Sequence, residues 1–194
     1  MGVPGFFAWL LKKYKKSNFI LKRSDVGSLD YLLIDMNCMI HPVCFETLAQ
    51  NKIDVDKVNM EKLEAKMRNN VIAYLENTIS QASPTKGIYI AIDGVAPVAK
   101  MKQQRLRRYK SVSDKALYDK IRAKHNKPNP LHWNNSAITP GTEFMHLLTL
   151  KLEDWASKYS KKYKLEIIFS SSNVPGEGEH KLLQYIRTNT VQYN

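Results

Sequence analysis

Two glutamates, Glu177 and Glu179, stand in the stretch VPGEGEHK of a lysine-rich chain, alternating with Gly176 and Gly178 and followed by His180. Glycine costs a helix about 1 kcal/mol relative to alanine, so the helix that KLLQYI begins gains nothing from the two glycines. Residues two apart on a regular helix point in roughly opposite directions. Both carboxylates can therefore address one ion only where the backbone is not yet helical, and glycine supplies that freedom. Two further acids, Asp35 and Asp93, each close an apolar run, YLLID and GIYIAID. Four carboxylates brought together repel one another; around a hard divalent cation they become its ligands. Oxygen-only ligation points to Mg²⁺, with Mn²⁺ as a substitute. Each acid alone also has a plainer use, since the helix dipole stabilises acids in a first turn and an aspartate after a strand can cap a turn. The coincidence of four at three strand ends in a basic chain favours the metal.

A second constellation lies in AKMKQQRLRRYK, where Lys100, Gln104, Arg107 and Arg108 fall at i, i+4, i+7 and i+8 on one helical face. A charge run by itself is a solvated face, but this one begins seven residues after Asp93. Guanidinium forks and a lysine point charge suit a terminal phosphate, and the Gln104 amide can donate alongside them. A phosphate pocket next to a divalent metal implies phosphodiester chemistry. Cys38, His41 and Cys44 offer a competing pattern with zinc-like spacing. No fourth ligand is evident nearby, and Pro42 disturbs a helix that would line the three up. His41 stands six residues after Asp35, where it can be a satisfied structural histidine or can face a base.

The elements that must carry these residues alternate. YLLID (31–35), GIYIAID (87–93) and LEIIFS (165–170) are continuous apolar runs of the kind that parallel strands show when both faces are covered. A helix over about residues 60–81 follows from Met60, Leu63, Met67, Val71, Tyr74, Leu75 and Ile79. Another, with Phe144, Leu148, Leu152, Trp155 and Tyr159 on one face, precedes the third strand; Thr139 can cap it and Pro140 can open it. The polar stretch 111–136 reads as a helix and loop inserted on the surface. Strand–helix–strand order predicts an α/β fold, a Rossmann-like open and mostly parallel sheet with flanking helices. Ligands of such sheets collect outside the carboxyl ends of the strands, where the four acids stand.

At 194 residues the chain suffices for one domain, and its formal charge of +12 calls for a polyanionic partner, nucleic acid before an anionic membrane. GFFAWLL is too short for a signal core or a membrane span, and the opening Met-Gly has Phe6 where myristoylation prefers Ser or Thr. The expectation is an intracellular protein, cytoplasmic or nuclear, with reduced thiols and no membrane partner.

The blocks MGVPGFFAWL, LLIDMNCMIHP, IAIDGVAPVAKMKQQRLRRYK, ITPGTEFM and VPGEGEHK resemble, in order and across essentially the whole chain, those of the XRN-type 5′→3′ exoribonucleases. The resemblance implies a catalytic core related to PIN and flap-endonuclease domains. It makes Asp35, Asp93, Glu177 and Glu179 the Mg²⁺ ligands, and Lys100, Gln104, Arg107 and Arg108 the pocket for a 5′-monophosphate. It gives His41 the task of stacking on the first base and the opening residues that of excluding duplex. Cys38 stands where the family usually has glycine, and NNSAITPG varies its usual SNCITPG. The family carries further metal-binding aspartates, including a D-x-D pair, on strands that follow the GEGEH helix. The chain therefore reads as the amino-terminal portion of a catalytic core, with the remainder expected in cis or as a separate chain. The implied activity is Mg²⁺-dependent hydrolysis of 5′-monophosphorylated single-stranded RNA from its 5′ end, releasing 5′-mononucleotides. The alternatives are a catalytically silent binder of 5′-phosphorylated RNA and a flap-type, structure-specific DNA nuclease.

Overall fold

In the computed structural model, residues 5–14, 27–50, 59–127 and 133–189 are described. The first four residues of the opening block and most of the NKPNP stretch fall outside them. The three apolar runs form β1 (Leu29–Asp35), β2 (Pro84–Ala91) and β3 (Glu166–Ser170). All three are parallel in the order β1-β2-β3, with Ile34 opposite Ile90 and Ile90 opposite Phe169. β2, in the middle, buries Ile88 and Ile90 on one face and Ala91 on the other almost completely, as a strand covered on both faces must. The expected open parallel α/β architecture is the one found.

Helix α1 (Phe6–Lys13) precedes the sheet, and α2 (Asn37–Gln50) follows β1 directly. α3 (Met60–Ala82) connects β1 to β2, capped by Asn59, whose side chain accepts from the Lys62 N–H. Its buried stripe is Leu63, Met67, Val71, Leu75 and Ile79. Steps of four residues wind slowly around a helix of 3.6 residues per turn, so the stripe leaves Tyr74 behind; Tyr74 and Met60, expected on it, are exposed. α5 (Glu143–Tyr163) returns to β3 and buries Phe144, Met145, Leu148, Leu152 and Trp155. Its cap is Thr142, not Thr139 as the sequence suggested: Gly141 takes φ +87°, and the Thr142 hydroxyl accepts from the Met145 N–H. α6 (Gly178–Asn189) closes the described chain.

Of the stretch 111–136, read as a helix and loop inserted on the surface, residues 111–124 are helical and unburied, but they continue α4 (Val98–Lys124), a single helix of 27 residues with none buried. Neither glycine nor proline interrupts residues 98–124, so nothing local stops the helix, which reaches about 40 Å at 1.5 Å per residue. A 3-10 turn, Asn135–Ala137, lies between α4 and α5. Among the described residues, no helix is long and apolar enough to cross a membrane.

Candidate metal and phosphate site

β1 and β2 deliver the two aspartates to the same edge of the sheet. Asp35 is the last residue of β1; Asp93 lies two residues past β2, where the Ile92 N–H still reaches the Ser170 carbonyl at 2.9 Å. A residue that sequence reasoning missed ties them together. Asn37 donates its side-chain amide to Asp93 Oδ2 at 2.9 Å and accepts the Asp93 N–H at 3.2 Å. Its own backbone N–H donates to Asp35 Oδ1 at 3.1 Å. Nothing local announces this clamp, because its partner is 56 residues away.

The acidic loop meets the aspartates at Gly178. The Gly178 N–H donates to Asp93 Oδ1 at 2.6 Å, and a Cβ on Gly178 would sit 2.7 Å from Asp35 Oδ1. Gly178 is thus required by close approach, whereas Gly176, at φ +105°, makes the turn that brings the loop in. This refines the idea that both glycines simply loosen the backbone. Glu177 precedes α6 and Glu179 lies in its first turn. Among the described residues, one group of His, Cys, Asp and Glu has its ligand atoms mutually within 4.8 Å: Glu177, Glu179 and His180. His180 was not proposed as a ligand from the sequence; its only signal is adjacency to Glu179. Asp35 and Asp93 face this trio across Gly178 and are not part of the tight group.

Burial raises the pKa of Asp35; the hydrogen bond from the Asn37 N–H opposes it, and the charges of Asp93, Glu179 and Glu177 add smaller upward pushes. A carboxylate disfavoured by burial and crowded by three neighbouring acids is one that a cation would relieve. The donors are hard oxygens with one imidazole, a set that fits a divalent metal. Two ammonium groups stand among these acids. Lys100 lies 3.0 Å from Glu177 Oε1. Burial opposes the Glu177 charge, but hydrogen bonding and charge from Lys100, with His180 contributing, hold its pKa below the usual value. Lys181, buried, donates to the carbonyls of Ile92 at 2.6 Å and Ser171 at 2.9 Å, stitching together the chain where β2 and β3 part.

Of the basic face, Gln104, Arg107 and Arg108 line a cleft of about 510 Å³ together with Asn37, His41 and Asp93. Arg108 also donates to the Thr139 hydroxyl at 3.1 Å, joining α4 to the opposite wall. Lys100 turns away to Glu177 instead. His41 is half-buried on the cleft, and burial keeps its pKa below the usual value against a smaller pull from Asp93, so the ring is neutral at pH 7. The zinc pattern does not assemble: Cys38 is exposed and donates to the Asp35 carbonyl, while Cys44 is buried with its pKa pushed to about 12. α2 runs through Pro42 unbroken; residues three apart share a face, but six residues turn Cys44 about 120° from Cys38 around the helix.

Just before the Asn135–Pro140 wall of the cleft, Trp133 ties the chain to α3 by donating its indole N–H to Glu64 Oε1 at 2.9 Å. Glu64 is also paired with buried Arg68 at 3.7 Å. Trp133→Phe keeps an aromatic ring, smaller than the indole, and leaves Glu64 short of a donor. Hydrogen bonds to charged groups contribute about 1.5–3 kcal/mol, and urea unfolding should lose that amount; an unchanged midpoint would show the wall is held by packing alone.

A family model described as the XRN 5′-3′ exonuclease N-terminus matches residues 1–194. The chain is 36% identical over 231 residues to 5′-3′ exoribonuclease 2 of Kluyveromyces lactis, covering 100% of this chain and 22% of that protein. It is 37% identical over 194 residues to 5′-3′ exoribonuclease 1 of Saccharomyces cerevisiae, at 96% of this chain and 12% of the relative. With 5′-3′ exoribonuclease 1 of Homo sapiens the identity is 34% over 196 residues, at 97% and 11%. The chain thus spans 11–22% of the length of these relatives.

Proposed function

Because this chain belongs to the family described as the XRN 5′-3′ exonuclease N-terminus, we propose that it hydrolyses 5′-monophosphorylated single-stranded RNA from the 5′ end, releasing 5′-mononucleotides with the help of Mg²⁺. The observation that carries this reading is a shared wall: Asp93 holds the Gly178 N–H between Glu177 and Glu179 and also lines the cleft of Gln104, Arg107 and Arg108. A phosphate bound on that face therefore lies next to the acids, where the first internucleotide linkage can be reached.

Each residue then has a task. The +12 surface draws RNA in with a salt-dependent affinity. Arg107 and Arg108 grip the terminal phosphate with their guanidinium forks, Gln104 donates its amide, and Lys100 adds a point charge. The neutral ring of His41 offers a stacking surface to the first base. Asp35, Asp93, Glu177 and Glu179 would hold the divalent ion, with His180 beside them. Such an ion supplies Lewis-acid activation of water and stabilisation of the leaving oxygen. Asn37 and the Gly178 N–H keep the Asp93 carboxylate oriented while the strand advances.

The phosphate pocket is tested by comparing RNAs that differ only at the 5′ end. Arg107→Ala or Arg108→Ala should weaken binding of 5′-phosphorylated RNA at least about tenfold, from the 1.5–3 kcal/mol of a charged hydrogen bond, and leave 5′-hydroxyl RNA nearly unaffected. Fluorescence anisotropy showing equal losses for both RNAs would reduce this face to general electrostatics. Running the same pair as DNA, in Mg²⁺ and in EDTA, separates an RNA exonuclease from a flap-type nuclease and from a silent binder.

A further inference from the structure

Lys100 is claimed by both halves of the site. It stands in the first turn of α4, one turn before Gln104 and two before Arg107 and Arg108, yet its ammonium is spent on an acid. Its Nζ lies 3.0 Å from Glu177 Oε1 and 3.1 Å from Oε2, and the two side chains are only 18% and 10% exposed. One ammonium cannot neutralise a shielded carboxylate and a phosphate dianion equally well at once. Glu177 cannot simply be abandoned either, because a buried carboxylate without a partner is strongly disfavoured. Whatever draws Lys100 away must therefore leave Glu177 to another cation, and Glu179 and His180 stand within 4.8 Å to share one.

We propose that Lys100 makes the carboxylate site conditional on the 5′ end. A terminal phosphate in the cleft takes the ammonium from Glu177, and Glu177 passes to a divalent cation. This deepens the phosphate-pocket reading above and rests on it. An RNA with a 5′-hydroxyl leaves Lys100 on Glu177, so selection for the phosphate acts on metal loading as well as on binding. By linkage the effect is reciprocal: the cation tightens the phosphate by the same factor as the phosphate tightens the cation.

Calorimetric titration of Mn²⁺ into the whole chain, in saturating adenosine 5′-monophosphate or in adenosine, tests this. Wild type should bind Mn²⁺ at least fivefold more tightly with the monophosphate. In Lys100→Met that ratio should fall below twofold, and Mn²⁺ alone should bind more tightly than to wild type because Glu177 is already free. Glu177→Gln should bind the monophosphate at least threefold more tightly without metal, a gain that a damaged fold cannot produce. If the monophosphate is preferred to adenosine but Mn²⁺ affinity is unchanged, the coupling is refuted and the phosphate cleft stands. A ratio as large in Lys100→Met as in wild type assigns the coupling to direct contact between ion and phosphate, and also refutes the role of Lys100. No preference for the monophosphate over adenosine removes the cleft itself, and the proposal with it.

Discussion

Gly178→Ala is expected to weaken Mn²⁺ binding by about tenfold to a hundredfold while the protein stays folded. The added methyl would lie 2.7 Å from Asp35 Oδ1 and 3.0 Å from its carboxyl carbon. The backbone cannot easily back away, because the Gly178 N–H is held on Asp93 Oδ1 at 2.6 Å. Asp35 has little room either, being fixed by the Asn37 N–H at 3.1 Å. The strain therefore falls on the relative placement of the two aspartates and the two glutamates that flank position 178. Overpacking costs about 1–3 kcal/mol, and each 1.4 kcal/mol is a factor of ten in affinity. Alanine is itself a better helix former than glycine by about 1 kcal/mol, so global stability should change little. Calorimetry with Mn²⁺, paired with urea unfolding, separates the two effects. A folded variant with wild-type Mn²⁺ affinity would show that Asp35 and the acidic loop do not act on one ion.

How far such a site can be read from a sequence depends on the range of the interaction that builds it. β1, β2 and β3 were legible because strands covered on both faces leave uninterrupted apolar runs. α3 and α5 were legible because each buries one stripe. Asp35, Asp93 and the glutamates could be brought to one edge of the sheet because parallel strands all point their carboxyl ends the same way. The continuity of α4 is hard to read for the complementary reason: with no residue buried it has no apolar period to follow, and only the absence of glycine and proline marks its length. The pattern points to Thr139 as the cap of α5 because the positive φ of Gly141, which shifts the start to Thr142, is a property of the folded turn.

Long-range contacts left no trace in local pattern. The Asn37–Asp93 clamp spans 56 residues, the Lys100–Glu177 pair 77 and the Lys181–Ile92 bond 89. Sequence reasoning placed Lys100 with Gln104, Arg107 and Arg108 on helical spacing alone. The spacing is right for the helix, but it cannot register that a buried glutamate competes for the same ammonium.

With the proposed activity, Asp93→Asn should reduce RNA hydrolysis by on the order of a thousandfold, the largest loss expected from any single substitution in the site. Metal ions contribute several kcal/mol of charge stabilisation in a transition state, and about 4 kcal/mol corresponds to three factors of ten in rate. The substitution is close to isosteric, yet it disturbs the orientation of position 93 as well as its charge. In wild type, Asn37 gives its amide N–H to Asp93 Oδ2 and accepts the Asp93 N–H. An asparagine at 93 can keep the Gly178 N–H on its oxygen, but then turns an NH₂ group toward the NH₂ of Asn37. Flipping Asn37 cures that contact and creates another, because its NH₂ then faces the backbone N–H of residue 93. One hydrogen bond is lost either way, worth about 0.5–1.5 kcal/mol net, while removal of one carboxylate relieves the crowding of charge around Asp35. The two changes oppose each other, so the metal-free variant should unfold within about 1 kcal/mol of wild type. Mononucleotide release from 5′-phosphorylated RNA by the whole chain in Mg²⁺ is the measurement, with calorimetric Mn²⁺ binding beside it. Loss of release with Mn²⁺ affinity intact would make Asp93 an orienting group rather than a ligand. Undiminished release would remove it from the chemistry altogether.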